Sequence, residues 1–264
     1  MTYFGFLLRF LVIPILVFLA FTYWDNKNNK PTHGFQNGRA VWVAILVHVI
    51  LAVVYTTPWD NYLVATGVWY YNPDLVTGIV FGYVPIEEYT FFVLETILSG
   101  LWWWFLVRRI SGPKENFHPS KSARIISAGV LFIVWVIFTV LFFSDNQPIT
   151  YLSITLFWAL PAIFPQLLYG ADILWHQRKL VFLTIAVPGI YLSLMDIIAL
   201  TDTTWAISPD QTTGILFFSI LPLEEVVFFF ITNILIAFGM TLLLSNLGTQ
   251  RFNDWKSNNY KGLP

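Results

Sequence analysis

Two pairs of adjacent glutamates are the residues whose type and spacing could carry out chemistry in this sequence. Each pair follows a proline by two and three residues: Glu87 and Glu88 after Pro85, and Glu224 and Glu225 after Pro222. A charged side chain at the centre of a membrane helix costs on the order of 3 kcal/mol. Four acids in matched apolar surroundings therefore predict a functional site, with hydrogen bonding between helices or capping of backbone carbonyls as the structural alternative.

The two prolines determine where these acids would lie. Proline inside a helix removes one backbone hydrogen bond and clashes with the carbonyl group four residues before it. We expect kinks at Pro85 and Pro222, in helices that begin near Gly78 and Gly214. At a rise of about 1.5 Å per residue, the glutamates would then lie near the middle of the membrane or somewhat outward of it.

Adjacent acids in a helix have unequal surroundings, because successive side chains point about 100° apart. One member of each pair is expected to face a pocket while the other supports it. Exclusion of water and a neighbouring carboxylate both favour the neutral acid, which can donate a proton, whereas an ionised partner can act as counter-ion or base. We expect Glu88 and Glu225 to be the acid and base pair and Glu87 and Glu224 to support them, although the spacing alone does not rank the four.

Aromatic rings accompany the acids. Four phenylalanines follow the glutamates by four residues and so share their helix faces: Phe91, Phe92, Phe228 and Phe229. Tyr89 follows Glu88 directly, and Val226 takes its place in the second motif. Aromatic faces attract cations. These five rings are therefore candidates for contacting the substrate or stabilising a cation, with ordinary apolar packing as the alternative.

Three further acids could support the cluster as partners of the glutamates. Asp60 and Asp196 precede the two motifs near the ends of apolar segments, where a solvated helix-end charge is the alternative interpretation. Glu95 lies seven residues after Glu88 on the same predicted helix face. Thr232 takes the place of Glu95 in the second copy, so this acid belongs to one copy alone.

The composition is that of a membrane protein. Of 264 residues, 57% are hydrophobic and only 11% are charged, where a soluble domain carries roughly a quarter charged residues. About 20 apolar residues span a bilayer as a helix, and seven stretches qualify: 3–23, 40–57, 78–107, 125–143, 150–170, 180–200 and 214–245. The predicted fold is an all-α polytopic membrane protein with seven transmembrane helices. The chain has no cysteine, and we assign no residue as a metal ligand.

Basic residues predict the orientation of the chain. Thirteen of the 14 lysines and arginines lie in one set of connections: 24–39, 108–124, 171–179 and the tail 246–264. The alternate connections have none: 58–77, 144–149 and 201–213. The positive-inside rule then places the N-terminus outside and the C-terminus in the cytoplasm. We expect an integral protein of a bacterial or archaeal cell membrane.

The sequence also contains an internal repeat at an offset of 136 residues. This offset aligns Asp60 with Asp196 and Trp69 with Trp205, two tryptophans that we interpret as anchors at the membrane interface. One inserted residue later, Phe81 aligns with Phe218 and the two Pro-x-Glu-Glu motifs coincide. The repeat predicts a duplicated helical unit.

The predicted domains follow from this repeat. Residues 1–107 form the first three-helix repeat, 108–145 a cytoplasmic loop and linker helix, 146–245 the second repeat and 246–264 a cytoplasmic tail. The linker helix restores the orientation that an odd number of helices would invert, so both repeats run parallel and are related by an axis along the membrane normal. We therefore expect one composite site between the halves.

The doubled motif resembles the flavin-independent lycopene cyclase domain in its fused, single-chain form. The resemblance rests on Asp60, Gly67-Val68-Trp69, Gly78, Pro85 to Glu88 and Phe91-Phe92, echoed by Asp196, Trp205, Gly214, Pro222 to Glu225 and Phe228-Phe229. It is weakest over the first, fourth and fifth spans. The second copy departs from the pattern with Thr203-Thr204-Trp205, so the halves are not equivalent.

The resemblance implies an activity. A carboxyl group protonates the terminal double bond of an acyclic carotenoid, the internal double bond closes a six-membered ring, and a carboxylate removes a proton. The products are β-ionone-type rings, as in the conversion of lycopene to β-carotene. No redox cofactor is implied, and the chain has no Gly-x-Gly-x-x-Gly motif. The implied partners are the lipid bilayer and a lipophilic carotenoid taken from it, with room for a homo-oligomer or for contacts with other carotenoid enzymes. No nucleic-acid partner is expected.

Other functions remain open from the residues alone. A carotenoid hydratase would let water capture the same first cation. An ion-coupled transporter also uses parallel repeats, broken helices and acids in the membrane, although dense phenylalanine beside the acids suits a hydrocarbon better than an ion. A retinal-binding photoreceptor is disfavoured, because it needs a lysine in the last span and 214–245 has none.

Overall fold

The computed structural model describes residues 1–113, 115–144 and 146–260. Lys114 and Lys261, two of the basic residues used for the orientation, lie outside the described residues, as do Asp145 at the end of the predicted linker region and the last residues of the predicted tail. Seven described helices are long and apolar enough to cross a membrane. They are α1 Tyr3–Lys27, α2 Arg39–Ala65, α3 Ile86–Val107, α4 Lys121–Phe142, α5 Thr150–His176, α6 Arg178–Thr201 and α7 Leu223–Leu244. The predicted all-α class with seven spans is confirmed.

The described structure also contains short strands, one further α-helix and two short 3-10 helices, Gln147–Ile149 and Pro209–Gln211. The strands are β1 Trp69–Tyr71, β2 Val80–Phe81, β3 Val84–Pro85, β4 Trp205–Ile207, β5 Leu216–Phe217 and β6 Leu221–Pro222. β1 pairs with β4, β2 with β3 and β5 with β6, all antiparallel. The last helix, α8, is Asn246–Tyr260. All six strands lie in the two connections that lead into α3 and α7.

Helices α3 and α7 occupy the centre of the bundle. They are the most buried spans. In the most apolar part of each helix, 67% of the residues of α3 and 56% of those of α7 are buried inside the protein, against 6% of those of α4. Polar contacts join α3 and α7, among them hydrogen bonds from Ser99 Oγ to Asn233 Oδ1 at 2.7 Å and from Trp103 Nε1 to Thr241 Oγ1 at 3.0 Å. In the described residues α1, α2, α5 and α6 pack around this central pair, while α4 packs on α5 at the outside.

The predicted proline kinks are wrong. Pro85 and Pro222 have extended backbone angles and immediately precede the first residues of α3 and α7. The residues before them form the strand pairs, so the predicted segments 78–107 and 214–245 become helical only at Ile86 and Leu223. Proline is well tolerated at a helix start, because the first backbone N–H groups have no partner within the helix. The glutamates consequently lie in the first helical turn and not near a helix centre.

The pairing of β1 with β4 relates the two halves by a local twofold axis. Its pairs are Trp69 with Ile207, Tyr70 with Ala206 and Tyr71 with Trp205. The central pair consists of residues that the offset of 136 already equates, so the ladder is the same when read from either half. Reciprocal bonds flank it, from Ser208 N to Val68 O at 2.8 Å and from Asn72 N to Thr204 O at 3.2 Å.

The inserted residue of the second half lies in a hairpin turn. Gly82 and Tyr83 separate β2 from β3, whereas residues 218–220 separate β5 from β6. The sequence match of Phe81 with Phe218 is therefore wrong by one position. Phe81 pairs with Val84 as Phe217 pairs with Leu221, so Phe217 is its structural counterpart.

Candidate active site

The first glutamate of each pair holds the chain that leads into its helix. Glu87 Oε1 accepts a hydrogen bond from Thr77 N at 2.6 Å, and Glu224 Oε1 accepts one from Thr213 N at 2.7 Å. Both side chains are buried. These matching hydrogen bonds connect the segment before each hairpin to the first turn of the following helix. The free backbone N–H groups at a helix start also favour a negative charge. This geometry agrees with a supporting function for the first acids.

The second glutamate of each pair receives tyrosine hydroxyl groups. Glu88 Oε2 accepts hydrogen bonds from Tyr3 and from Tyr71, the latter at 3.1 Å. Glu225 Oε1 accepts one from Tyr151 at 2.8 Å. Burial and the Glu88 carboxylate raise the pKa of the Tyr71 hydroxyl well above its usual value, so this hydroxyl keeps its proton and acts as a donor.

The two aspartates are buried, so their interpretation as solvated helix-end charges is wrong. Asp196 Oδ1 accepts a hydrogen bond from Trp205 Nε1 at 2.8 Å. Asp60 is fully buried, and neither of its carboxyl oxygens has a hydrogen-bond partner among the described residues. A buried polar group without a partner is costly, and Asp60 is therefore expected to be held for a purpose.

One cavity brings together acids from both halves. Glu88 of α3, Asp196 of α6 and Glu225 of α7 line a space of about 30 Å³. We call it the acid cavity. Its aromatic walls are formed by Tyr3, Phe6, Trp69, Tyr71, Phe91, Trp205, Phe228 and Phe229. Trp69 and Trp205 belong to these walls, so the interpretation of both as interfacial anchors is wrong. Carboxyl groups and aromatic faces thus share a space that has room for about one or two waters.

The predicted aromatic set is brought together only in part. Phe91, Phe228 and Phe229 line the acid cavity, and the ring centroid of Phe229 lies 6.3 Å from Phe91 and 5.3 Å from Phe228. Phe92 lies in the wall of a second cavity. Tyr89 does not line the acid cavity: its hydroxyl group faces the β2–β3 hairpin and donates to Phe81 O at 3.0 Å, and a contact with the substrate stays a prediction.

Glu95 lies apart from the acid cavity. It is seven residues beyond Glu88 on α3, about 10 Å along the helix, and it lines the second cavity with Phe92. Thr232 Oγ1 of α7 donates to Glu95 Oε1 at 2.8 Å. The two residues that the repeat equates therefore contact each other across the central helix pair. Glu95 therefore lines the second cavity and not the acid cavity, and its support of the glutamates stays a prediction.

Tyr3, Tyr71 and Tyr151 belong to the site but were not predicted. Tyr3 and Tyr151 stand at the starts of α1 and α5, and each donates to the second glutamate of one pair. The repeat does not align them at the offset of 136, because α1 and α2 are joined by residues 28–38 whereas α5 and α6 are joined by Gln177 alone. A tyrosine at the start of the first helix in each half was the available signal.

Known proteins are similar in sequence to this chain. The chain is similar to the lycopene beta-cyclase of Halobacterium salinarum, with 38% identity over 207 residues that cover 78% of this chain and 84% of that protein. It is also similar to the bifunctional lycopene cyclase/phytoene synthases of Podospora anserina and Aspergillus oryzae. These matches have 34% identity over 201 residues and 30% identity over 233 residues, covering 74% and 88% of this chain.

The extent of these matches differs between the relatives. The aligned regions cover 34% and 38% of the two fungal proteins, so the chain corresponds to about a third of each. The chain matches no family model and no solved structure. The match to the Halobacterium protein, by contrast, extends over most of both chains at 38% identity. On that match, this chain of seven membrane-spanning helices belongs to the lycopene cyclase family.

Proposed function

We propose that this protein cyclises the ends of lycopene to β-ionone-type rings, giving β-carotene, by acid and base catalysis in the acid cavity. The observation that carries the proposal is the meeting of Glu88, Asp196 and Glu225 within one aromatic enclosure. Similarity to proteins named lycopene cyclases supports the same substrate. The reaction neither adds nor removes atoms and transfers no electrons to an acceptor, so it needs an acid, a base and exclusion of water.

The proton donor is a neutral carboxyl group, for which we assign Glu225. It protonates the terminal double bond of the acyclic end and leaves a tertiary cation, which the internal double bond attacks to close the ring. The ring cation then loses a proton to Glu88. Hydrogen bonds to a carboxylate stabilise its charged form, and Glu88 accepts two hydroxyl donors where Glu225 accepts one. That difference supports Glu88 as the base.

Aromatic rings and the exclusion of water protect the cation. Phe91, Phe228 and Phe229 present rings beside the acids, and such rings attract a cation more strongly when water is excluded. The acid cavity has room for only one or two waters, so an acyclic end that enters it displaces the water that would trap the cation as an alcohol. This supports cyclisation over hydration of the same end.

The two halves are proposed to be parallel repeats that share this one site. The matched bonds of Glu87 and Glu224, the twofold β1–β4 ladder and the placement of Tyr3 and Tyr151 support a duplication. The proposed parts are 1–107, a loop and linker helix at 108–145, 146–245 and a tail from 246. The linker helix α4 lies outside the central pair, as a connector would.

The proposed orientation places the acid cavity toward the outer face of the membrane. The connections at the acid end contain no lysine or arginine: 66–85, 143–149 and 202–222. By the positive-inside rule this end is outside, with the N-terminus outside and the C-terminus in the cytoplasm. The carotenoid is proposed to enter from the bilayer of a bacterial or archaeal cell. A homo-oligomer or contacts with other carotenoid enzymes stay predictions.

Expression in a lycopene-accumulating bacterium tests the proposal. Chromatography of the extracted pigments is expected to show loss of lycopene and appearance of β-carotene. Products that carry tertiary hydroxyl groups would indicate a hydratase instead. Unchanged lycopene, with the protein present in the membrane fraction, would overturn the proposed function.

A further inference from the structure

Two larger cavities continue from the acid cavity along the helices. The second cavity has a volume of about 220 Å³ and shares Phe228 with the acid cavity. The third has a volume of about 580 Å³ and shares His48, Leu51 and Gln166 with the second. The shared residues make the three spaces consecutive, with the acids at one end.

A single face of α7 forms one side of this path. The two larger cavities are lined from this helix by Phe228, Thr232, Leu235, Ile236, Gly239, Leu242 and Leu243. Spacings of three and four residues place these side chains on one helix face. From Phe228 to Leu243 the helix rises by about 22 Å. Helix α2 contributes His48 and Leu51 opposite, and α5 contributes Gln166.

Helices α2 and α5 meet at one end of the path and leave it open beyond that point. Tyr55 and Trp158 exchange two hydrogen bonds, from Tyr55 Oη to Trp158 O at 2.7 Å and from Trp158 Nε1 to Tyr55 O at 3.2 Å. Further from the acids, Leu51 is 58% exposed although it lines both cavities. In a membrane an exposed leucine contacts lipid, so the path opens sideways to the bilayer.

We propose that this groove between α2, α5 and α7 binds the polyene body of the acyclic carotenoid, with one end directed past Phe228 into the acid cavity. We call it the polyene groove. The inference rests on the proposed function. The acid cavity has room for only one or two waters, so even an end group enters it only when a wall residue moves, and the stiff conjugated chain cannot coil within it. The remainder of the substrate must lie in an elongated, mainly apolar space that leads to the acids, and the groove leads to them as far as the ring of Phe228.

Phe228 separates the end group from the body of the substrate. Its ring lies between the two cavities and stacks on Trp59, with centroids 5.2 Å apart and planes 12° apart, while Trp59 stacks in turn on Trp158 at 4.6 Å. The acid cavity can therefore receive an end only when the Phe228 ring moves aside. A groove of this kind selects substrates by the length of the chain as well as by the end group.

Blocking the groove tests the inference. Leu51→Trp fills the junction of the two larger cavities, and Leu243→Trp fills the far end. Leu131→Trp is the matched control, because Leu131 lines a separate cavity of about 200 Å³ between α4 and α5. Each variant is assayed with lycopene and with a truncated polyene that bears the same acyclic end. The lycopene that copurifies with each protein is also measured by absorbance.

Leu243→Trp is expected to lower cyclisation of lycopene by about tenfold, since overpacking of this size is costly, and to leave the truncated polyene unaffected. Leu51→Trp is expected to impair both substrates, and Leu131→Trp neither. Equal rates on lycopene for all three variants, or equal losses on both substrates in Leu243→Trp, would overturn the groove. If the parent protein cyclises nothing, the proposed function fails by itself. Copurified lycopene then tests the groove separately. The groove is supported if Leu51→Trp and Leu243→Trp bind less lycopene than the parent protein and the Leu131→Trp control do. It is overturned if the parent and all three variants bind equal amounts.

Discussion

The two members of each glutamate pair differ in what they contact. Glu87 and Glu224 accept hydrogen bonds from backbone N–H groups of the preceding loops. Glu88 and Glu225 face the acid cavity and accept hydrogen bonds from tyrosine hydroxyl groups. Neighbouring positions on a helix face different directions, which explains why acids adjacent in sequence have such different partners. The chemistry is therefore proposed to depend on the second member of each pair.

Glutamine substitutions separate these two functions. Glu88→Gln and Glu225→Gln keep the size of the side chain but remove its acid, and we expect each to lower cyclisation by about a hundredfold or more. Glu87→Gln and Glu224→Gln retain a carbonyl oxygen that can still accept from Thr77 N or Thr213 N, so they are expected to keep most of the activity. Pigment chromatography at matched protein levels measures both effects. Full cyclisation by all four variants would contradict the assignment of the acids.

The tyrosine donors provide a finer test. Tyr3→Phe and Tyr151→Phe each remove one hydrogen bond that a tyrosine hydroxyl group donates to a buried carboxyl group, which costs about 1 kcal/mol or more of interaction energy. We expect several-fold slower cyclisation at unchanged protein levels. Tyr89→Phe is the matched control, because its hydroxyl group contacts the hairpin and lies outside the acid cavity. A larger effect of Tyr89→Phe than of the other two would contradict the site as described.

At the scale of the elements, the apolar spans could be predicted and the starts of two of them could not. Seven stretches of sufficient hydropathy are unambiguous, because a bilayer demands both length and apolarity. The pairs β2–β3 and β5–β6 have only two residues a strand, too few for a periodic pattern. The apolar residues of these strands therefore could not be distinguished from the helices that follow them in the sequence. The prolines mark the true boundary but are equally compatible with a kink.

The site was predictable to the extent that the repeat preserved the spacing. Both glutamate pairs, Asp196 and three of the phenylalanines occupy the positions or surroundings that the aligned motifs suggested. Tyr3 and Tyr151 were hidden because the connections after α1 and α5 differ in length, which shifts the offset between the halves. Tyr89 and Glu95 lie outside the acid cavity, which the sequence could not show because proximity in sequence does not specify which neighbour a helix face meets.

Replacing the prolines tests the corrected boundaries. Pro85→Ala and Pro222→Ala remove a ring from the start of α3 or α7 without leaving a helix hydrogen bond broken. We expect near-normal membrane levels and a stability change of no more than about 1 kcal/mol, measured as resistance to heating in detergent. Severe loss of folded protein, or markedly higher helicity by circular dichroism, would support a kink within a longer helix instead.

At the scale of the whole molecule, the two halves meet in ways that each half alone cannot reproduce. The central pair α3 and α7, the β1–β4 ladder and the acid cavity all draw residues from both sides of the linker. Helix α4 packs on α5 at the outside and contributes no wall to the acid cavity in the described structure. One composite site is therefore expected to need both halves but not the covalent link between them.

Cutting the chain between α3 and α4, within residues 110–120, tests this expectation. The two fragments expressed together are expected to cyclise lycopene, because the buried contacts between the halves can bring them together. Neither fragment alone should do so, since Glu88 and Glu225 would be separated. Pigment chromatography measures the outcome. Activity in either fragment alone would rule out a site shared between the halves.

A carboxyl group of the acid cavity is proposed to give its proton to the carotenoid, and a carboxylate to remove another. The most direct measurement is mass spectrometry of the carotene formed when purified protein, equilibrated in heavy water and in excess over lycopene, is allowed a single turnover. The proton donated to the terminal double bond stays in the ring, so we expect one deuterium for each ring formed, and greatly reduced labelled product with Glu225→Gln. Carotene that carries rings but no deuterium would contradict proton donation from the acid cavity.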